Sequence, residues 1–154
     1  GIQNERTTAQ PQNKFLPYSL WKEWIKKPSV SDSWQKAINE WINRINDALE
    51  KIGRPFGHRV QQAMLEYVAN YPGVDDGQTH KIAFADQIEQ KVIPKLRGID
   101  CGTRLNESLS SISLLIDKLE DNELANAFCQ SKEDHSMGTF VWRGVTRPLD
   151  DMRV

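Results

Sequence analysis

The sequence predicts an all-α fold, a single bundle of about five helices with a short extended segment near the C-terminus. Apolar residues recur at steps of three and four along most of the chain, which is the spacing of an amphipathic helix. Glycine and proline separate these stretches, and the connections are short, as between antiparallel neighbours in a bundle. Residues 138–144, GTFVWRG, are the one β-like run, and they are too short to form a sheet unaided.

The first elements are predicted from apolar residues and the prolines and glycines that interrupt them. Residues 18–27 could form a short helix that Pro28 ends. The next helix should be capped by Ser31 or Ser33 and should end at Gly53 in the left-handed conformation. Its apolar stripe is the clearest in the chain, and it consists of Trp34, Ile38, Trp41, Ile42, Ile45, Leu49 and Ile52.

Four further helices are predicted from the same spacing. They cover residues 57–71, 80–96, 103–119 and 122–131. Pro94 lacks a backbone donor and should bend or loosen the last turn of the second of these helices, which Gly98 ends. Thr103 could cap the third. The carboxylates around the start of the fourth are better explained as favourable charge at a helix N-terminus than as acid–base catalysts. They are Glu120, Asp121 and Glu123.

Length and composition limit the class of protein. The chain has 154 residues, enough for one domain with a hydrophobic core, and a formal net charge of −1. This near-neutral charge argues against bulk nucleic acid or an anionic membrane surface as a partner. No apolar run approaches the ~20 residues that span a bilayer, and the polar start lacks the apolar region of a signal peptide. Cys101 and Cys129 show no metal-ligand spacing and are typical of reduced cysteines in a cytoplasmic protein.

Three segments are predicted along the chain. Residues 1–17 should be a flexible linker, residues 18–143 a helical domain and residues 144–154 a flexible tail. The first residues lack an initiator methionine and are rich in Gln, Asn and Thr. Such a start is typical of a linker or a cut point, which favours a fragment of a larger polypeptide.

The sequence carries no complete enzyme motif. It has no GxxxxGK[ST] phosphate loop, no GxSxG motif and no HExxH motif. His58, His80 and His135 lie in separate segments, so each is better explained as an exposed or core residue than as a ligand. The pair Asp75 and Asp76 lacks the oxygen-ligand spacing of a calcium loop.

Arg59 stands apart from these residues because its position is locally unfavourable. It follows Gly57 and His58 in the predicted first turn of a helix, where the helix dipole disfavours a cation. Gly57 would allow close approach to the backbone. A nearby carboxylate could neutralise Arg59, and so could a phosphate, which free N–H groups at a helix start bind well. The residues alone leave these two alternatives about even.

A second group of cations lies at the end of the 80–96 helix. Lys91, Lys95 and Arg97 suit a helix C-terminus, and capping explains them better than a nucleotide or nucleic-acid role. Together with Arg104 they form a candidate basic patch, which a DNA-binding domain would use.

Two stretches, PFGHRVQQAMLEYV and AFADQIEQKVIPKLRG, resemble the C-terminal region of McrB-type AAA+ ATPases, the motor subunits of modification-dependent restriction systems. Members tend to show a Gly-x-Arg turn that opens a helix, and a later helix that ends in a Lys-(Val/Ile)-(Leu/Ile)-Pro-Lys-(Leu/Ile)-x-Gly-like run, here residues 91–98. The closing GTFVWR is similar to the Gly-x-Thr-x-Phe-Trp ending of such proteins, although Val141 separates Phe140 from Trp142. The resemblance covers about residues 31–143.

The resemblance implies a helical lid that follows an ATPase core. Arg59 would be the sensor-2 arginine, with Gly57 and His58 in the same nucleotide-binding turn. ATP or GTP with Mg²⁺ would be bound in the full-length parent. The resemblance also implies a homo-oligomeric ring, a nuclease subunit as a partner and DNA as an indirect one. Because this chain has no Walker A, Walker B or sensor-1 motif, the segment alone is expected to catalyse nothing and to bind nucleotide weakly.

Two other hypotheses compete with the lid. A stand-alone helical interaction module would use Trp21 and Trp24 as a docking surface and would bury Arg59 in an ion pair. A DNA-binding accessory domain would use the basic patch, which the near-zero net charge disfavours. The lid hypothesis instead predicts that Arg59 is exposed near a helix start and faces the place where the core would dock.

Overall fold

The structure is a computed structural model, and it describes residues 32–73 and 78–147. Six α-helices and one π turn make up most of these residues. They are α1 (Asp32–Glu50), α2 (His58–Ala69), α3 (Thr79–Gln87), the π turn (Ile88–Val92), α4 (Ile93–Leu96), α5 (Thr103–Asp117) and α6 (Asn122–Glu133). No β-strand occurs within these two ranges, so the predicted all-α bundle is confirmed. Within the same ranges, no helix is both long and apolar enough to cross a membrane. The predicted helix over residues 18–27 and the loop with Asp75 and Asp76 lie outside the described residues.

Helix α1 presents the predicted apolar stripe to the core. Ile38, Ile42, Ile45 and Leu49 are buried, and Trp41 is partly buried against them. The helix is followed, as predicted, by a glycine in the left-handed conformation, Gly53 at a φ of +75°.

One of the predicted cap residues, Thr103, is wrong. Helix α1 begins at Asp32, so Ser31 directly precedes it in the sequence but lies outside the described residues, and Ser33 is its second residue. The cap at Ser31 or Ser33 therefore stays a prediction. Thr103 is the first residue of α5 and follows Gly102, which has no side chain to cap the helix. Helix boundaries inferred from a pattern are uncertain by one or two residues, and a hydroxyl residue in the first turn gives the same pattern as a cap. Asp121 does cap α6, where its carboxylate accepts a hydrogen bond from the N–H of Leu124 at 3.0 Å.

Residues 79–96 form one continuous helical run whose winding changes in the middle. Helix α3 continues into the π turn, which continues into α4. Pro94 has no N–H, and in a regular α-helix its ring would collide with the carbonyl of Gln90, four residues earlier. The wider π turn ends at Val92, two residues before Pro94, so the helix is loosened near Pro94 as predicted, but before its last turn rather than within it. Gly98, at a φ of +76°, follows the end of the run.

Helices α1 and α5 form the most extensive helix pair in the described part of the chain. They run antiparallel, because Lys51 just after α1 lies near Thr103 at the start of α5, whereas Arg44 lies near Lys118 at the other end. Ser108 of α5 is buried, and its hydroxyl donates a hydrogen bond to the carbonyl of Ala48 at 2.7 Å. This bond satisfies a hydroxyl group that burial would otherwise leave unpaired.

The extended segment 138–143 packs on the connection between α4 and α5. Asp100 and Thr139 form an isolated antiparallel bridge. The N–H of Phe140 donates to the carbonyl of Ile99 at 2.9 Å, and the Phe140 side chain is buried, with its ring centroid 6.2 Å from that of Phe128. The β-like run therefore pairs with a loop, which explains why it forms no sheet.

Contacts with the bundle extend to Arg147, which falls within the predicted tail of residues 144–154. Its guanidinium forms salt bridges with Glu89 at 2.9 Å and with Asp121 at 3.0 Å. Burial alone would raise the pKa of Asp121, but hydrogen bonds from Arg147 and from the N–H of Leu124 lower it overall. Arg147 thus joins the π turn to the start of α6, and residues 148–154 lie outside the described residues.

Two apolar residues on α5 provide a matched test of this packing. Ile112 is 1% exposed and Leu114 is 68% exposed. We expect Ile112→Ala to lower the free energy of unfolding by about 2–5 kcal/mol, because it leaves a cavity in the core. Leu114→Ala should change it by less than about 0.5 kcal/mol. Urea unfolding followed by circular dichroism measures both values, and similar losses in the two variants would contradict the assignment of the buried face.

Candidate functional site

The Gly-His-Arg turn lies at the start of α2. Gly57 is the N-cap, in extended backbone with φ −76° and ψ 160°, and His58 and Arg59 are the first two residues of the helix. Any residue can adopt this backbone conformation, so glycine is not required here by its φ. No atom lies within 4 Å of the place where a Cβ would stand on Gly57. The glycine therefore leaves the helix start open to approach.

Arg59 is exposed, and its guanidinium forms no hydrogen bond or salt bridge with residues 32–73 or 78–147. The first turn of α2 contains no acidic residue. The backbone N–H groups of His58 and Arg59 also donate to no other described residue. Because the helix dipole already makes this end positive, Arg59 adds charge to a positive site. This concentration of positive charge favours the binding of an anion at the start of α2.

Helix α5 begins in a similar way. Arg104 is the second residue of α5, it is exposed, and the N-cap Gly102 provides no side-chain cap. Geometry alone therefore does not distinguish the start of α2 from the start of α5. The start of α2 is distinguished by the loop before it, which contacts two other helices, α1 and α4.

The loop before α2 is attached to α1 and to the end of α4. The N–H of Phe56, whose side chain is buried, donates to Oδ1 of Asn46 on α1 at 2.6 Å. Arg54 donates from Nη1 to the carbonyls of Lys95 and Arg97 at 3.3 and 3.2 Å. Carbonyls at the C-terminal end of a helix lack intrahelical partners. Arg54 therefore caps α4 while it positions the start of α2.

Lys95 reinforces the same contact from the side of α4. Its Nζ donates to the carbonyl of Pro55 at 3.3 Å and lies 5.8 Å from the centroid of the Phe56 ring. We refer to Asn46, Arg54, Phe56 and Lys95 together as the α2 brace. The brace holds the turn that carries Arg59 against α1 and α4.

The candidate basic patch divides into residues with different surroundings. The ammonium group of Lys95 is used within the brace, as described above. Lys91, Arg97 and Arg104 are exposed. Arg104 lies on the wall of a depression between the ends of α1 and α4 and the start of α5, together with Lys51 and Arg54. The Lys95 ammonium thus bonds to the loop before α2 and not to a carbonyl at the end of α4, where the sequence suggested a cap. The side chains of the other three form no hydrogen bond or salt bridge within residues 32–73 and 78–147.

The three histidines lie in different surroundings. His58 and His135 are exposed. His80 lies between two tryptophans of α1, with its ring centroid 6.4 Å from that of Trp34 and 6.1 Å from that of Trp41. Its Nδ1 is buried without a hydrogen-bond partner. Burial lowers the pKa of His80, and the positive charge of Lys81 lowers it further. His80 is thus a packing residue, as are the tryptophans on either side of it.

The far end of α2 is tied to α3 by a tyrosine. The hydroxyl of Tyr67 donates to Oδ2 of Asp86 at 3.1 Å. Burial raises the pKa of Tyr67, and the hydrogen bond to Asp86 raises it further. The pKa of Tyr71 is also raised, first by burial and then by the negative charge of Asp86. Helix α2 is therefore fixed at both ends, by the brace at its start and by Asp86 near its end.

The sequence patterns did not reveal two of the brace residues, Asn46 and Arg54. Asn46 lies on the edge of the apolar stripe, and Arg54 directly follows the glycine after α1. Both act over separations of at least 10 residues, on a backbone N–H and on backbone carbonyls. Such partners depend on how the helices pack. The one available signal is the polar residue Asn46 between the buried Ile45 and Ala48.

The brace can be tested through the first turn of α2. Arg54→Ala removes both bonds to the end of α4, so we expect the free energy of unfolding to fall by about 1 kcal/mol. Hydrogen exchange at the amides of Val60 and Gln61, which bond to the carbonyl of Gly57, should be about fivefold faster. Arg97→Ala is the control, because Arg97 takes part only through its backbone carbonyl. Equal exchange rates in Arg54→Ala and the wild type would contradict the brace.

The surroundings of His80 predict a pH dependence of stability. Its pKa in the folded state is lower than the 6.5 of a free histidine, so the unfolded chain binds the proton more readily. This contribution to stability is therefore full above pH 6.5 and is lost as the pH falls through the folded-state pKa. We expect His80→Phe to reduce the loss of stability between pH 8 and pH 5.5, as measured by urea unfolding. His135→Ala, at an exposed position, should keep the full loss, and an unchanged loss in His80→Phe would show the inference to be wrong.

Comparison with known protein families assigns the chain to one of them. Residues 12–136 match the family model described as Domain of unknown function (DUF8727). The matched range includes all of the helices described above and the whole α2 brace. No curated protein and no solved structure gives a significant match. The chain therefore belongs to the DUF8727 family.

Proposed function

We propose that this chain is the lid, or sensor-2, domain of a McrB-like AAA+ ATPase in a DNA restriction or defence system. In this role Arg59 supplies positive charge to the phosphates of a nucleotide that a separate ATPase core holds. The domain itself is not an enzyme, because the sequence has no Walker A, Walker B or sensor-1 motif. The domain contributes residues to one side of a nucleotide-binding site whose other residues belong to the ATPase core.

The observation that carries the proposal is the free guanidinium of Arg59 at a positive helix start. The stand-alone interaction module requires Arg59 to be buried in an ion pair, and the described residues offer it none. A carboxylate partner, the simpler of the two ways to neutralise Arg59, is likewise missing from the described ranges. The phosphate alternative is therefore favoured, and the resemblance of the Gly-His-Arg turn to the family motif selects α2 over α5.

The residues at the start of α2 fit a phosphate group. The N–H groups of His58 and Arg59 have no acceptor among the described residues, and no Cβ on Gly57 covers them. These N–H groups and the Arg59 guanidinium are all donors, which is what phosphate oxygens require. The nucleotide would be ATP or GTP, and Mg²⁺ held by the core would neutralise charge on its terminal phosphates. The role of this chain is to orient and neutralise the phosphates from the lid side.

The brace suits a domain that moves as a unit. Because Arg54, Phe56 and Lys95 join the start of α2 to α1 and α4, any displacement of Arg59 displaces the bundle with it. A change at the phosphates would thus be transmitted to the whole lid, which is how hydrolysis could alter contacts between subunits. The partners in this proposal are the core, other copies of the parent protein in a ring, and a nuclease subunit. DNA would be bound through the assembled parent, in a cytoplasmic setting.

A DNA-binding accessory domain has less support. Lys95 is occupied with the carbonyl of Pro55, so the four cations of the basic patch do not act as one free surface. The interaction module that docks through Trp21 and Trp24 involves residues outside the described ranges. Neither alternative accounts for the exposed Arg59.

The test is nucleotide hydrolysis by the parent protein that joins this lid to its core. We expect Arg59→Ala to lower kcat by about 100-fold or more, because it removes a preorganised charge at the phosphates. Arg104→Ala is a closely matched control, since Arg104 is also an exposed second residue of a helix after an N-cap glycine. It should hydrolyse nucleotide at the rate of the wild type. Circular dichroism and thermal unfolding should show that both variants fold normally.

Two results would contradict the proposal. Normal turnover in Arg59→Ala would remove Arg59 from the nucleotide site. An equal loss in Arg104→Ala would show that the effect is not specific to α2. Arg59→Lys sharpens the comparison, because lysine keeps the charge but loses the planar guanidinium, and it should recover only part of the activity.

A further inference from the structure

A groove lies between α1 and α5, and none of the residues at the start of α2 lines it. It has a volume of about 410 Å³, and we call it the α1–α5 groove. Its walls come from one row of residues on each helix, at the helical spacing of three and four. The α1 side provides Arg44, Asp47, Ala48 and Lys51, and the α5 side provides Ser111, Leu114, Leu115 and Lys118.

The groove has an apolar centre that solvent reaches. Leu114 is 68% exposed, which makes it one of only three large hydrophobic residues classed as exposed in the described ranges. Next to it in the groove lie Leu115 and Ala48, which belong to the core. Leu114 therefore forms, together with these core residues, a continuous apolar surface in the groove. An apolar side chain of a partner that covered it would remove hydrophobic surface from water.

The rim of the groove is cationic. Arg44, Lys51 and Lys118 line it, and Asp47 is the one carboxylate among its lining residues, so the lining carries a net charge of +2, three cations less one anion. None of the three cations forms a salt bridge with another residue of the described ranges. Two depressions share Lys51 with the groove, and one is lined by the acid Glu107 and the other by Glu50 and Asp100. The groove thus has the opposite sign to the chain as a whole, whose net charge is −1.

We propose that the α1–α5 groove binds an acidic segment of a partner protein that also carries a bulky aliphatic side chain. The aliphatic side chain would pack on Leu114, and carboxylates on either side of it would pair with Lys51 and with Lys118. Charge complementarity favours an acidic segment. An apolar segment without carboxylates would exclude water from the groove and leave its three cations without a partner charge. The surface is separate from Arg59, so the inference does not depend on the proposed nucleotide role.

The experiment uses the whole chain and a phage-displayed library of random 12-residue peptides as the probe. We expect selection on the chain to enrich peptides that contain several Asp or Glu residues around a Leu, Ile or Met. The best such peptide is then synthesised with a fluorophore, and its affinity is measured by fluorescence polarisation. Affinity should fall as salt is raised from 50 to 300 mM, because the pairs at the rim are exposed to solvent.

Paired variants locate the binding site. The groove variant combines Leu114→Ala with Lys118→Ala, and we expect it to weaken the peptide affinity by about tenfold or more. The control variant combines Ile82→Ala with Lys36→Ala. Ile82 is 55% exposed and Lys36 is also exposed, so the control removes the same kinds of side chain at sites outside the groove. The control should bind the peptide as the wild type does.

Four outcomes would overturn the proposal. Enriched peptides that are basic or neutral would exclude an acidic partner. Peptides whose affinity is equal in the groove and control variants would exclude the groove as the binding site. If light scattering showed a dimer that the groove variant alone abolished, the groove would be an interface between copies of this chain. If a 20-nucleotide single-stranded oligonucleotide bound the chain and lost affinity in the groove variant while no acidic peptide was enriched, the cations would serve nucleic acid.

Discussion

Burial of the apolar stripe of α1 organises the bundle, because the other features of this helix are positioned by it. Ile38, Ile42, Ile45 and Leu49 direct one face of α1 inward. The same helix then supplies Asn46 to the brace, the carbonyl of Ala48 to Ser108 of α5, and two tryptophans to the ring of His80. Its outward residues form one wall of the α1–α5 groove. A rotation of α1 would therefore disturb the candidate phosphate site and the groove together.

Periodicity was sufficient to predict the helices, but it could not predict their partners. A helix of 15 or 19 residues with a regular stripe is determined by its own sequence, and α1 and α5 are of this kind. The α2 brace is different, because it joins residues 10 to 43 positions apart through backbone atoms that are the same in every residue. The wrong cap at Thr103 has a local reason, since a threonine one residue inside a helix gives the same pattern as one before it.

The sequence was sufficient to predict which residues form the candidate site, but not which other residues they contact. Gly57, His58 and Arg59 were identified as a helix start, and the structure places them there with Arg59 exposed. Whether a carboxylate would neutralise Arg59 depended on which side chains the fold brings near it. Lys95 illustrates the same limit, because a cation near a helix C-terminus suggested a cap, whereas its ammonium contacts Pro55 and Phe56 of another segment. Charge at a helix end is visible in sequence, but the choice of partner is made by packing.

The π turn in residues 79–96 determines the direction in which the side chains of α4 point. One additional residue per turn rotates the next side chains by about 100° relative to an uninterrupted α-helix. Ile93 and Leu96 reach the core, and Lys95 reaches the loop before α2, in that shifted phase. Loss of a single residue from the π turn would leave the composition of α4 unchanged and still turn Lys95 away from Pro55. The spacing between this turn and the Pro94 that follows it is thus as much a part of the site as the residues themselves.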